Sequence, residues 1–299
     1  MSEPESTSEP GKTRCGTIAL AGLPNVGKSS LLNALVGEPL AIVSAKAQAT
    51  RLPVVGLRTE SDTQYVFTDL PGLLDPAYPL QERMRALAQE GLARAHVVLH
   101  LHPATERPAP PLGALADPGG AAVPALVVYT KGDLVEDRHA VDASALVVSA
   151  RTGAGLDRLL AEVRSRLPEA PFQFPADDLG TQPVRFFAAE YLREGAFEHL
   201  DEEVPYAVAV EVEEFRENRD PVYIRATLYV ERASQKQIVI GAGGRTIKAI
   251  GQHARTRIEN LIGRKVFLET WVKVLPRWRR SEEQLARFGF PKSDDGGSR

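Results

Sequence analysis

The stretch that most restricts what this chain can become is IALAGLPNVGKSSLLNALVG, residues 18–37. An apolar run passes through a turn marked by glycine and proline into Lys28, Ser29, Ser30 and a helical apolar pattern. Gly22-Leu23-Pro24-Asn25-Val26-Gly27-Lys28-Ser29 fits G-x-x-x-x-G-K-[ST], lying between a predicted strand and a predicted helix, the context that a phosphate-binding loop requires. Its glycines let successive N–H groups turn inward, and the helix N-terminus adds positive potential, so phosphate binds there. Lys28 is placed to reach the outer phosphates of a nucleotide, and the Ser29 hydroxyl to hold Mg²⁺.

The rest of the first half supports a nucleotide-binding α/β fold. Apolar runs at 17–21, 64–69, 96–101, 125–130 and 145–149 alternate with helical stretches at 28–36, 79–95 and 156–167. That alternation predicts a mainly parallel sheet with helices on both faces. Segments 53–59 and 64–69, joined by a polar turn at Glu60–Asp62, predict an antiparallel hairpin at its edge, and 103–124 a surface loop. Asp69-Leu70-Pro71-Gly72 ends a strand, where an aspartate can hold the Mg²⁺ shell and a glycine N–H can sense the γ-phosphate. Thr130-Lys131-Gly132-Asp133 ends another, and the Asp133 carboxylate can accept both hydrogen bonds from the Watson–Crick edge of guanine. Ser149 and Ala150, after the last strand, can add backbone N–H contacts to the base.

Length and charge organise the remainder. The 299 residues suggest two domains, and 43% apolar with 25% charged side chains reads as a soluble globular chain. A single cysteine, Cys15, allows no intramolecular disulfide and fits a reducing cytoplasm. The N-terminal residues have no signal-peptide pattern, and no apolar run is long enough to span a bilayer. His96, His100 and His102 sit on or beside a strand, but no further ligands are spaced to complete a metal site with them. Four prolines within 168–183 mark a stiff linker. The expected divisions are a polar tail 1–14, a nucleotide domain 15–167, the linker 168–183, a second domain 184–280 and a tail 281–299.

The net charge of −3 does not itself suggest nucleic acid, but residues 176–220 carry thirteen acidic and four basic side chains, and residues 232–280 twelve basic and two acidic. Such asymmetry suggests a local anion-binding face. In the second half, a helical stretch at 184–200 precedes period-two strands at 206–213, 222–230 and 266–274. Ile247, Ile250, Ala254, Ile258 and Leu261 form the apolar stripe of a helix, and Gly241-Ala242-Gly243-Gly244 precedes it. This is the G-x-x-G of a KH domain, whose loop presses on the backbone of unpaired nucleotides, with Arg245 and Lys248 placed for further contacts. Two strands before the G-x-x-G helices and one after resemble the type II arrangement. Trp271, Trp278 and the arginines of WVKVLPRWRR are offered as further RNA contacts, with Trp271 equally suited to a core position.

Together GLPNVGKSSLLNALVG, SAKAQATR (44–51), DLPGL (69–73), TKGD (130–133) and SARTGAGLD (149–157) resemble the Era family of bacterial ribosome-assembly GTPases, and the likeness extends over residues 15–290. The resemblance implies slow hydrolysis of GTP to GDP, binding near the 3′ end of small-subunit rRNA during 30S assembly, a monomeric cytoplasmic protein and, in some members, peripheral attachment to the membrane. It implies that Thr50 closes onto Mg²⁺ and the γ-phosphate, and that Asn25 helps coordinate K⁺. Departures are Ala49 for a threonine, Thr130 for an asparagine and Leu70 for a threonine. Leu73 stands where Ras-like enzymes carry the glutamine that orients water, so intrinsic turnover on the order of 10⁻⁴–10⁻² s⁻¹ is expected. Leu73 and Thr130 also support a second reading, an RNA-binding scaffold that holds GTP as a structural ligand.

Overall fold

The computed structural model describes residues 13–115, 124–135 and 144–291. Residues 1–12 of the expected polar tail, part of the 103–124 loop and the end of the 281–299 tail lie outside the described residues, while Arg14, expected in the tail, already begins a strand. The first sheet contains β1 (Arg14–Ala21), β2 (Val54–Glu60), β3 (Thr63–Asp69), β4 (Val97–Pro103), β5 (Ala125–Thr130) and β6 (Leu146–Val147). Their order is β2-β3-β1-β4-β5-β6, with β2 antiparallel to β3 and the other neighbours parallel. β1 shows the logic of the layers. Ile18 and Leu20 face α1 (Lys28–Val36) and α3 (Leu156–Arg164), while Ala19 and Ala21 face α2 (Pro79–Ala93) on the other side. β4 is buried along its whole length, as a central parallel strand covered on both faces must be.

The second half begins with α4 (Val184–His199) and α5 (Val204–Ala207), then β7 (Ala209–Arg216), β8 (Val222–Val230), α6 (Ala233–Ile240), α7 (Arg245–Ile262), β9 (Val266–Val274) and α8 (Glu282–Arg287). β8 pairs antiparallel with β7 and parallel with β9. The strand expected at 206–213 starts later, because the chain first makes the one-turn α5. Pro205 lies in its first turn, where a missing N–H costs nothing. Ile250, Ala254 and Ile258 of the α7 stripe are fully buried with Ile224, Ala226 and Leu228 of β8, and Ile247 and Leu261 are half-buried against them. Gly195 lets α4 approach α7 closely, since a Cβ there would sit 3.0 Å from the Ile250 carbonyl oxygen.

The proline-rich connection lies along the first sheet. Leu57 N–H donates to the Leu179 carbonyl (2.9 Å) beside a Gly56–Gly180 bridge. The Gln64 side chain donates to the Phe174 carbonyl (2.8 Å) and accepts from the backbone N–H of Gln173 (2.8 Å) and Phe174 (3.0 Å). Phe172 and Phe174 cover Cys15, Leu57 and Val66.

Candidate functional site

The β1–α1 loop leaves the strand at Gly22, whose φ of 148° belongs to glycine, and a Cβ there would lie 2.5 Å from the Leu101 carbonyl oxygen. Gly27 caps α1 in the left-handed region with no side-chain cap, so the first N–H groups of the helix face the loop. Lys28 is buried and folds back onto that loop, donating to the carbonyls of Leu23 (2.9 Å) and Gly22 (3.3 Å). Burial pushes its ammonium down to about 8, against the pull of Asp69.

Three hydroxyl and carboxylate oxygens from three separate segments meet beside it. Ser29 Oγ donates to Asp69 Oδ2 (2.6 Å), Thr50 Oγ1 lies 3.0 Å from the same oxygen, and the two hydroxyls are 2.9 Å apart. Asp69 is buried and its carboxyl is raised above the usual carboxylate range, chiefly by burial. Its second oxygen, Oδ1, is buried with no hydrogen-bond partner among the described residues. A cluster of hard oxygen donors with an unsatisfied carboxylate oxygen fits Mg²⁺. A cavity of about 400 Å³ opens over this cluster, lined by Asn25, Lys28, Ser29, Thr50, Gly72 and Lys131 among others.

The segment after Asp69 is pinned to the loop. Leu73 N–H donates to the Gly22 carbonyl (3.0 Å), and a Cβ on Gly72 would press to 2.9 Å from Pro24 Cγ. Leu70 and Leu73 are buried with Ala88 and Leu92 of α2, so Leu73 points into apolar packing rather than at a water. Pro71 is also buried. Asn25, at φ 62°, donates its side-chain amide to the Ala45 carbonyl (2.9 Å).

A second cavity, about 170 Å³, joins Gly27 and Ser30 to Thr130, Lys131, Asp133, Ala150 and Arg151. Thr130 is buried and its hydroxyl donates to the Val26 carbonyl (2.5 Å), bracing the end of β5 against the phosphate loop. Asp133 accepts from Ser149 Oγ (2.6 Å) and Arg151 Nε (2.8 Å), and these partners, the Ser149 hydroxyl first, hold its carboxyl below the usual range. Ser149 thus acts here through its hydroxyl, whereas only its backbone was expected to contribute. Arg151 was not singled out from the sequence, although it sits inside the SARTGAGLD segment.

In the second half, Gly241, Gly243 and Gly244 all take positive φ (71°, 61° and 77°) at the mouth of the 18-residue α7. Nothing lies within 4 Å of a Cβ built on Gly243 or Gly244, so this turn faces open space. Arg245 and Lys248 are exposed beside it. The aromatic contacts need correction. Trp271 is 54% exposed, but Trp278 is fully buried, its indole N–H on the Ala207 carbonyl (2.8 Å). Arg279 pairs with Glu231 at 2.5 Å. The charge asymmetry is also partly internal: Glu194 pairs with Arg257 (3.1 Å) and His253 (3.1 Å), and Glu213 with Lys273 (3.0 Å) and Arg225 (3.2 Å). Two of the twelve basic side chains of 232–280, Arg257 and Lys273, are thus paired with the acidic stretch, and among the described residues Arg245 and Lys248 at the glycine turn make no such ion pair.

Comparison with known proteins agrees with this architecture. The family model described as 50S ribosome-binding GTPase matches residues 17–131, and that of the KH domain residues 203–279. The chain is 40% identical over 291 residues to GTPase Era of Geobacter metallireducens, covering 93% of this chain and 98% of the relative. It is 37% identical to GTPase Era of Vibrio parahaemolyticus, covering 95% and 93%. Among solved structures, a variant of Aquifex aeolicus Era bound to GDP and AlF4⁻ superposes with a TM-score of 0.87 at 35% identity, covering 93% of this chain and 99% of that one. An Era complex with MgGDPNP and nucleotides 1506–1542 of 16S ribosomal RNA gives 0.88 at 35% identity with the same coverage. A P-loop α/β domain followed by a KH domain, at this identity over nearly the whole chain, makes this protein a GTPase of the Era family.

Proposed function

We propose that this GTPase is a nucleotide-driven switch whose KH half grips single-stranded small-subunit rRNA during 30S assembly. The observation that carries the switch is the meeting of Ser29 and Thr50 hydroxyls, from two separate segments, on Asp69 Oδ2 of a third, whose other oxygen, Oδ1, is buried without a partner among the described residues. In this reading residues 22–30 cradle the phosphates, Lys28 leaves its loop carbonyls for the outer phosphates, and Ser29, Thr50 and Asp69 form the Mg²⁺ shell. When bound, Mg²⁺ neutralises charge on the outer phosphate oxygens. Residues 69–73 report the γ-phosphate through the Gly72 backbone. Asp133 reads guanine, Lys131, Ser149 and Ala150 border the base, and Thr130 braces them from below. Leu73 has no group to orient water, so turnover is slow without help, and Asn25 holds K⁺ as added positive charge near the phosphates.

RNA enters at Gly241–Gly244, with Arg245 and Lys248 on its phosphates. The same reading has a cytoplasmic monomer that makes a peripheral contact with the membrane. Among the described residues no helix is long and apolar enough to cross one. The test is a titration of labelled single-stranded RNA of the 16S 3′ end at several salt concentrations. Gly243→Asp with Gly244→Asp adds charge and bulk where a phosphate backbone would lie, and is expected to weaken binding more than ~10-fold. GTP binding should be unchanged in the same protein. Arg245→Ala and Lys248→Ala should each flatten the log–log salt slope by ~0.7. A folded double variant that binds RNA like wild type would remove the KH half from the proposal.

A further inference from the structure

The residues flanking Thr50 are tied to the other half of the molecule. Arg51 is buried, and its guanidinium donates to the Val208 carbonyl (2.7 Å), the Tyr206 carbonyl (2.9 Å) and the Pro205 carbonyl (3.4 Å). It lies 5.8 Å from the Trp278 ring. Four residues before Thr50, Lys46 Nζ donates to the Phe197 carbonyl (2.8 Å) and the Leu200 carbonyl, and pairs with Asp201 (3.2 Å). These carbonyls belong to the C-terminal ends of α4 and α5, where backbone acceptors are left over and cations are favoured. The next segment is gripped as well. Arg83 of α2 pairs with Glu282 of α8, and Leu80 and Met84 pack with Trp278 and Leu285.

A buried guanidinium held by main-chain carbonyls fixes position more strictly than a flexible ion pair, because the acceptors cannot follow it on side-chain rotamers. Consecutive Cα atoms are about 3.8 Å apart, so the neighbour of Arg51 has little freedom once Arg51 is seated. That neighbour is Thr50, whose hydroxyl sits 3.0 Å from Asp69 Oδ2.

We propose that Arg51 is a positioning residue for Thr50: the carbonyls of residues 205–208 seat the threonine that closes on Mg²⁺ and the γ-phosphate, which makes the KH half a structural part of the GTP site. Lys46 acts in the same direction from a more exposed position. The inference rests on the nucleotide site proposed above. Because GDP lacks the γ-phosphate, its binding does not need Thr50, and this separates positioning from general damage.

The experiment uses full-length wild type, Arg51→Ala, Arg51→Lys and Lys46→Ala, measuring affinity for GDP and for the non-hydrolysable GDPNP across a Mg²⁺ titration. Arg51→Ala is expected to bind GDPNP at least ~10-fold more weakly, or ~1.4 kcal/mol, and to need more Mg²⁺ for half-saturation. Its GDP affinity should stay within about twofold of wild type. Arg51→Lys, which keeps the charge and can reach one carbonyl, should recover part of the loss, and Lys46→Ala should show a smaller one. The proposal is overturned if Arg51→Ala binds both nucleotides like wild type, or if both affinities fall together and Arg51→Lys restores nothing. Wild type binding neither nucleotide would instead overturn the site itself.

Discussion

Lys28→Met separates what the lysine costs the free protein from what it gives the complex. In the free chain its ammonium is buried, and its drop from 10.5 to about 8 corresponds, at 1.36 kcal/mol per pKa unit, to about 3 kcal/mol spent on keeping it charged. Methionine removes that cost. It also strips the carbonyls of Gly22 and Leu23 of their donor, at ~1 kcal/mol each, while the attraction to Asp69 is already contained in that net shift. These effects nearly cancel, so the free variant should stay within ~1 kcal/mol of wild type and its Tm within ~2–4 °C. The complex has no such compensation. Two charge-assisted bonds to phosphate, at ~1.5–3 kcal/mol each, exceed the two carbonyl bonds the lysine gives up. Affinity for GTP should fall between ~10-fold and ~1000-fold, with a smaller loss for GDP. Calorimetry with each nucleotide and melting with and without it would show both halves. A cooperatively folded variant with wild-type affinity would refute the assignment of Lys28 to the phosphates.

Asp133→Asn turns an acceptor-only group into one that also donates, which suits xanthine, so preference should move from GTP to xanthosine triphosphate in competition binding. A preference still for GTP would mean that guanine is read elsewhere. Hydrolysis at saturating GTP should be faster in potassium than in sodium, and Asn25→Ala should abolish the difference while Leu73→Ala changes the rate little. Equal rates of wild type in the two salts would remove K⁺ from the mechanism. In the proposed site, phosphate next to Lys28 would hold its proton more firmly than the free site does. GTP affinity should therefore be flat below pH 8 and fall above it by up to ~10-fold per pH unit, a dependence absent from Lys28→Met.

Much of the first half was legible because its motifs are local and its sheet is parallel. Each of the segments at Gly22, Asp69 and Thr130 follows a strand, and parallel strands end on one edge, so residues far apart in sequence gather there. The second sheet was legible from its period-two pattern, apart from the start of β7, where Pro205 favoured a helical turn over a ladder position. What was not legible depends on contacts between halves. Trp278 looks like a surface aromatic in its basic neighbourhood, and only the approach of α2 and α5 makes it core. Arg51 and Lys46 have partners about 155 residues away, with no local pattern to announce them. Nor could the sequence show which basic groups of 232–280 are paired, since the partners of Arg257 and Lys273, Glu194 and Glu213, lie on α4 and β7.

The connection laid along β2 has a consequence for how the two halves could ever be separated. β2 is an outermost strand, and residues 179–182 supply partners to its backbone: the Leu179 carbonyl for Leu57, and the Gln182 amide for Val55 (3.3 Å) and Pro53 (3.1 Å). An uncovered strand edge is a template for pairing with another chain. A nucleotide domain cut at residue 167 would keep its motifs but bare this edge, along with the apolar surface under Phe172 and Phe174. A cut after residue 182 would keep both covered. The shorter fragment should self-associate with rising concentration while the longer stays monomeric, so the sequence joining the two halves belongs, in its solubility, to the first.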